Sequence, residues 1–401
     1  MQTEARFNYL LGILFFVAFI LLDLALWRLF FAPTHGVMKL FTPMYGLSIV
    51  AVLLGCILCL TDIFDFTNIQ GKILRGLALT IGSLAAFYLV YYGFFWNFLG
   101  KYGVAYFSPQ SIIDAGGTGA EIWNARESAS TAVTYLATAF IFVALLWHNG
   151  LGKFPWSEGT RAVVGWSRFF AISFFAVILY ALLFHPHVTA LFVPKQSFAG
   201  VEPWWEGVAM TSSAFYHLGW MLMSVAVLVL FAETFGGWPL TSLSTTGSKA
   251  LLRLIVTLVL SIGLGFILFY LLELVMTHFW DEPFQGGSYT DDPRFRHLHV
   301  GEIAVFAIAS SYLWQTYFGN WPTRLPVPVG HVVRLAIVFL LTGGFWLFYY
   351  NQSIGPKFVD RVPGIGSIDD TALCWGLMTV VMLMVHRKFF GGWPMHRQGS
   401  S

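Results

Sequence analysis

The sequence predicts an all-α integral membrane protein of about ten transmembrane helices, arranged as repeated two-helix hairpins with four sizeable outer loops. Three observations predict it. Of the 401 residues, 57% are hydrophobic and 10% charged, where a soluble chain carries about 25% charged residues. Apolar runs recur that meet the roughly 20 residues needed to cross hydrocarbon. A Trp-Pro turn returns at near-regular spacing. The same composition excludes disorder and, with three cysteines, a disulfide scaffold. A net charge of +2 argues against a nucleic-acid partner.

The first run, 7–31, leads into Ala32-Pro33-Thr34-His35 without a small-x-small cleavage site, so it reads as a retained helix rather than a signal peptide. Its Asp23 and Arg28 are expected to pair across a turn or snorkel to the outer surface. The second run, near 42–62, holds Cys56-Ile57-Leu58-Cys59. That is redox spacing inside an apolar span, where cysteines are ordinarily packing residues. The third, near 73–97, ends in Tyr91-Tyr92-Gly93-Phe94-Phe95-Trp96, an aromatic belt at the interface. Seven more follow near 131–148, 166–189, 209–234, 249–276, 301–318, 332–351 and 371–389.

An even number of spans puts both termini on one side and sorts the loops into two sets. The set sharing the termini carries 13 of the 22 basic and five of the 20 acidic residues, or +8; the rest sums to −6. The positive-inside rule makes the termini cytoplasmic, and the expected location is a bacterial inner membrane. The connections near 98–130, 190–208, 277–300 and 352–370 then face outward.

The chain repeats itself. Phe235-Gly236-Gly237-Trp238-Pro239, Phe318-Gly319-Asn320-Trp321-Pro322 and Phe390-Gly391-Gly392-Trp393-Pro394 close even-numbered spans, with Leu151-Gly152-Lys153-Phe154-Pro155 as a degenerate copy. An arginine, Arg75, Arg168, Arg253 or Arg334, opens each following odd span. The unit is a hairpin used about five times, over roughly 1–72, 73–160, 161–245, 246–328 and 329–401, within a single polytopic domain 1–401. The motif itself is expected to anchor the interface: Gly and Pro stop the helix, Trp sits among headgroups and Arg meets phosphate.

Seven of the eleven histidines fall on the outer side: His35, His185, His187, His217, His278, His297 and His299. His217 and His299 hold matching places in adjacent units, each with glycine two residues on, Gly219 and Gly301. Imidazole with carboxylate suits zinc, copper, iron or nickel. The candidate metal ligands are His185, His187, His217, His278, His297, His299 and Glu302; Glu273, Asp281 and Glu282 are the candidate catalytic or proton-relay acids. Glu273, five residues before His278, would support that ring. A His-x-His pair can share an ion only in loop or strand, because on a helix the two rings stand about 200° apart. Pro186 and Pro293 suggest such irregular segments. The bland reading is that interfacial imidazoles bond to loop carbonyls.

No Walker loop, intact Gly-x-Gly-x-x-Gly or His-Glu-x-x-His is present, so phosphate cradling, dinucleotide binding and zincin chemistry lack support. The Asn351-Gln352-Ser353 sequon lies too close to the membrane edge to carry weight. Three function classes remain. The first is an outward-facing His/carboxylate metal site, with copper or iron and haem not excluded, in an oxidoreductase or monooxygenase-type complex with partner subunits or as a homo-oligomer. The second is a transporter of small molecules or ions, against which stand the parallel sense of the repeats and the scarcity of midplane charge. The third is a non-catalytic scaffold subunit. The tract Tyr92-Gly93-Phe94-Phe95-Trp96 and the turn Gly319-Asn320-Trp321-Pro322 resemble short stretches of the membrane subunits of copper methane and ammonia monooxygenases. The likeness covers a few residues and the length differs, so no site residue is carried over.

Overall fold

A computed structural model of the chain describes residues 9–393 apart from 33–34, 38–42, 65–68, 70, 102–106, 157–158, 186–211, 246, 280–292, 324, 352 and 361–371. The described residues include ten long helices: α1 Tyr9–Leu26, α2 Pro43–Ile63, α3 Lys72–Tyr88, α4 Ala120–Gly150, α5 Arg161–Leu183, α6 Ser212–Val229, α7 Gly247–Phe279, α8 Pro293–Phe318, α9 Val327–Tyr350 and α10 Ala372–Met384. Wider π turns extend four of them, at Trp27–Phe31, Leu89–Leu99, Leu230–Thr234 and Val385–Phe389. Nine of the ten, all but α8, are long and apolar enough to cross a membrane. The chain is a multi-pass helical membrane protein.

Burial alternates along the chain. In α1, α3, α5, α7 and α9 only 17–28% of the apolar window is buried by protein, against 72–83% in α2, α4, α6 and α10. The even helices form a closed ring: α2 packs on α4, α4 on α6, α6 on α8, α8 on α10, and α10 back on α2. The odd helices lie over its grooves. Thus α3 covers α2 and the last turn of α10, α5 covers α4 and α2, α7 covers α6 and α4, and α9 covers α8 and the last turn of α6. α1 lies on α8 and reaches α10 through Asp23, whose carboxylate accepts from Trp375 Nε1 at 2.9 Å and Thr379 Oγ1 at 3.1 Å. The outward faces of the odd helices carry Leu74, Ile81, Phe170, Phe174, Val259, Phe339 and Leu340, the apolar coat that hydrocarbon requires.

Lipid tails are as apolar as leucine, so helices associate there through close packing of small residues. The ring follows this rule. A Cβ on Gly219 of α6 would lie 2.6 Å from the His297 carbonyl of α8, and one on Gly376 of α10 would lie 2.9 Å from Val305. The Gly219 contact fixes one end of the α6 and α8 pair. At the other end Asn320 Nδ2 donates to the Glu233 carbonyl. α8 therefore runs alongside α6 over the whole of that apolar span, and its 26 residues measure about 39 Å.

The Trp-Pro motif has a backbone cause. Gly236 and Gly237, Gly319 and Asn320, and Gly391 and Gly392 all have positive φ, two consecutive left-handed residues that end each helix. Asn is the ordinary residue that best tolerates this region, which explains the Gly-Gly to Gly-Asn exchange. The arginines that open odd helices do more than anchor the surface. Arg253 donates to the Asn149 carbonyl and Arg334 to those of Thr234 and Pro322. They satisfy carbonyls at the C-terminal ends of inner helices, where a cation also meets the negative end of the helix dipole.

Candidate functional site

Two groups of ionisable side chains stand at opposite ends of the ring. The histidine end gathers residues from α6 to α9. His297 Nδ1 donates to Glu273 of α7, with the Phe269 ring stacked 5.7 Å and the Tyr216 ring 5.4 Å from the imidazole. Nearby, His217 Nδ1 accepts from Trp220 Nε1 at 3.0 Å, and the Phe184 ring lies 6.1 Å from His217. A carboxylate can only accept, so the proton of His297 sits on Nδ1; the Trp220 bond puts that of His217 on Nε2. On another face of α8, His299 Nδ1 donates to the fully buried Glu302 at 2.8 Å, and Tyr350 of α9 donates to the same oxygen at 2.6 Å.

This corrects the expected form of the His297-Leu298-His299 pair. Both residues lie within helix α8, not in loop or strand. The helical period turns the two rings apart, and each takes its own carboxylate. Glu273 supports a histidine, but that histidine is His297 on the next helix, α8, rather than His278 on its own helix, α7. His185 follows the end of α5, its ring 6.4 Å from Tyr180. His187, Asp281 and Glu282 lie outside the described residues, as does the side chain of His278. Among the described residues, no three His, Cys, Asp or Glu side chains converge as metal ligands. His35 pairs with Asp360 at 3.1 Å. Asp23 and Arg28 do not pair: Arg28 donates to the Lys357 carbonyl while Asp23 is bound to α10.

The other end holds a group that sequence reasoning did not single out. A cavity of about 80 Å³ opens between the last turns of all five inner helices and α5, lined by Asp62, His148, Asn149, Arg168, Glu233, Tyr312 and Lys388. Arg168 Nη1 pairs with Asp62 at 3.0 Å and its Nη2 donates to His148 Nδ1 at 3.4 Å. Arg387 pairs with Glu233. Arg168 was legible as a repeated helix opener and Lys388 as one base among many. Nothing local in the sequence marks their convergence, because it joins the ends of helices separated by hundreds of residues.

Between the two groups the ring axis is apolar. A smaller cavity of about 30 Å³ is lined by Leu54, Leu58, Thr138, Ile141, Leu145, Leu222, Val225, Val229, Ile308, Tyr312, Leu377, Val380 and Met384, which come from the five inner helices and from none of the outer ones. It shares Leu58, Leu145, Val229, Tyr312 and Met384 with the charged cavity. Compared with known families, curated proteins and solved structures, the chain matches none of them.

Proposed function

We propose that the chain is a membrane transporter whose path follows the axis of the five-helix ring. One observation carries the reading: two adjoining cavities on that axis are each lined by all five inner helices. In this reading α8 is a tenth span. The hairpins 1–72, 73–160, 161–245, 246–328 and 329–401 are five copies of one unit about a pseudo-fivefold axis, and alternating burial, recurring Trp-Pro turns and arginine caps support that. The positive-inside bias makes the charged cavity the cytoplasmic mouth. The apolar collar around Val225 and Ile308 closes the path by excluding water, a hydrophobic gate. The histidine–carboxylate pairs at the far mouth suit proton exchange, since ionisable groups within spans commonly serve such relays.

The test is flux through the full chain reconstituted in liposomes, with sets of cations, anions and small neutral solutes. Flux of one class above that of empty vesicles is expected, reduced by about tenfold or more when Val225→Trp fills the dewetted collar. Vesicles indistinguishable from empty ones for every class would overturn the reading.

The second reading is the metal-dependent oxidoreductase subunit, with copper, iron or haem held by His185, His187, His217, His278, His297, His299 and Glu302, with Glu273, Asp281 and Glu282 as acids, and with partner subunits supplying electrons. One observation favours it. His297 and His299 each give Nδ1–H to a carboxylate, the arrangement that orients a histidine ligating through Nε2. Stoichiometric metal or a Soret band in chelator-washed protein would move the assignment to this class.

A further inference from the structure

We infer that the charged cavity at the Trp-Pro end of the ring is a binding site for a small inorganic anion. This names the charge class of the transported solute and so rests, for its meaning in transport, on the conduit reading; binding itself does not.

The inference starts from a count of charges. Each carboxylate lining the cavity has its own arginine, Asp62 with Arg168 and Glu233 with Arg387. Lys388 lines the same cavity. Among the described residues no carboxylate lies within ion-pair distance of it, and Asp62 and Glu233 attract it only from farther away. With Arg387, which pairs with Glu233 from beside the cavity, the group carries one more positive than negative charge, on the half-buried Lys388, and a partly desolvated charge favours a counter-ion.

A second, independent observation points to the same ligand. Arg168 is 6% exposed, and its Nε has no hydrogen-bond partner, although Nη1 and Nη2 are engaged. His148 accepts from Arg168 at Nδ1, which leaves its proton on Nε2 as a further donor. The negative ends of α4 and α6 do not absorb this excess, because Arg253 and Arg334 already bond to carbonyls there. The cavity of about 80 Å³ exceeds the order of 10–15 Å³ that one water needs, leaving room for a halide or nitrate with part of its hydration. An anion there would neutralise Lys388 and accept from Arg168 Nε.

The test uses the purified full chain in detergent, with chloride as probe and ³⁵Cl line broadening as readout, displaced by bromide and nitrate. Saturable broadening is expected. Lys388→Met should lower chloride affinity by about tenfold or more, as loss of a charged hydrogen-bond partner does; Lys388→Arg should keep most of it, and Lys249→Met, at an exposed lysine on α7, should change nothing. Lys388→Met removes a charge without orphaning a partner, so the variant should fold, with an unaltered elution profile. Lys388→Gln serves if it does not. No saturable broadening in the wild type, or full affinity in folded Lys388→Met, would overturn the site. Flux separates the two readings. Lys388-dependent binding without flux keeps the site and removes the conduit, whereas cation flux indifferent to Lys388→Met keeps the conduit and overturns the anion as its solute.

Discussion

Asp23 shows how one buried polar residue can hold a membrane fold shut. It is fully buried in α1, and its Oδ2 accepts from both Trp375 and Thr379 of α10, so the first and last helices meet through one side chain. Asp23→Ala leaves the Trp375 indole without its acceptor, while the Thr379 hydroxyl keeps the Trp375 carbonyl at 3.0 Å, at a cost of about 1–3 kcal/mol. A lowered melting temperature in detergent is the expected result, with Asp23→Asn much closer to wild type; equal melting of Asp23→Ala and wild type would refute the role. Sequence reasoning sees Asp23 and Arg28 as neighbours five residues apart. It cannot see a partner 352 residues away, and that is why the expected pairing fails. The histidines fail for a different reason. Pro293 suggests an irregular segment before His297, yet it occupies the first position of α8, where proline is favoured. The helical period then divides His297 from His299. Glu273 and Glu302 stand out in the sequence, because a carboxylate inside a span rarely lacks a role; their histidine and tyrosine partners do not.

Helices were legible wherever their sequences are apolar, and two inner helices were read short where their first turns are polar. The lipid-coated odd helices match the expected runs to within several residues, because the hydrocarbon requirement acts directly on their sequences. Of the inner helices, α2, α6 and α10 match their apolar runs closely, whereas two extend beyond theirs: α4 begins at Ala120 rather than near 131, and α8 at Pro293 rather than near 301. These additional turns carry polar residues, of which Ser128, Ser130 and His297 are packed by protein, so hydropathy does not register them. The glycine two residues after each histidine was visible as a coincidence, and the structure supplies its cause at the α6 and α8 crossing. Gly219 has no room for a Cβ, since the backbone carbonyl of His297 would lie 2.6 Å away. Gly219→Val should force the two helices apart and cost about 1–3 kcal/mol or more, as overpacking does. Gly263→Ala in α7, where nothing lies within 4 Å of a new Cβ, should leave melting nearly unchanged. Comparing the two melting curves checks the packing; equal behaviour would place the crossing elsewhere.

At the scale of the whole molecule, the ring depends on α8 traversing the membrane even though its sequence is the least apolar of the ten. A helix enclosed by α6, α9 and α10 does not meet lipid on most faces, so it can carry His297, His299 and Glu302 without exposing them to hydrocarbon. The parity of the chain turns on this one element. Ser242, after α6, and Thr323, after α8, are both exposed, and they lie on the same side only if α7 and α8 both cross. Single cysteines at the two positions, in a background where Cys56, Cys59 and Cys374 are replaced, should react with a membrane-impermeant maleimide from the same side of sealed vesicles. Labelling from opposite sides would mean that α8 enters and leaves by one face, which would break the ring and the axial path together. The pinning of α8 to α6 at both ends, through the Gly219 contact and the Asn320 bond to Glu233, argues for the first outcome. A helix held at both ends of a span covers the same depth of bilayer as that span does.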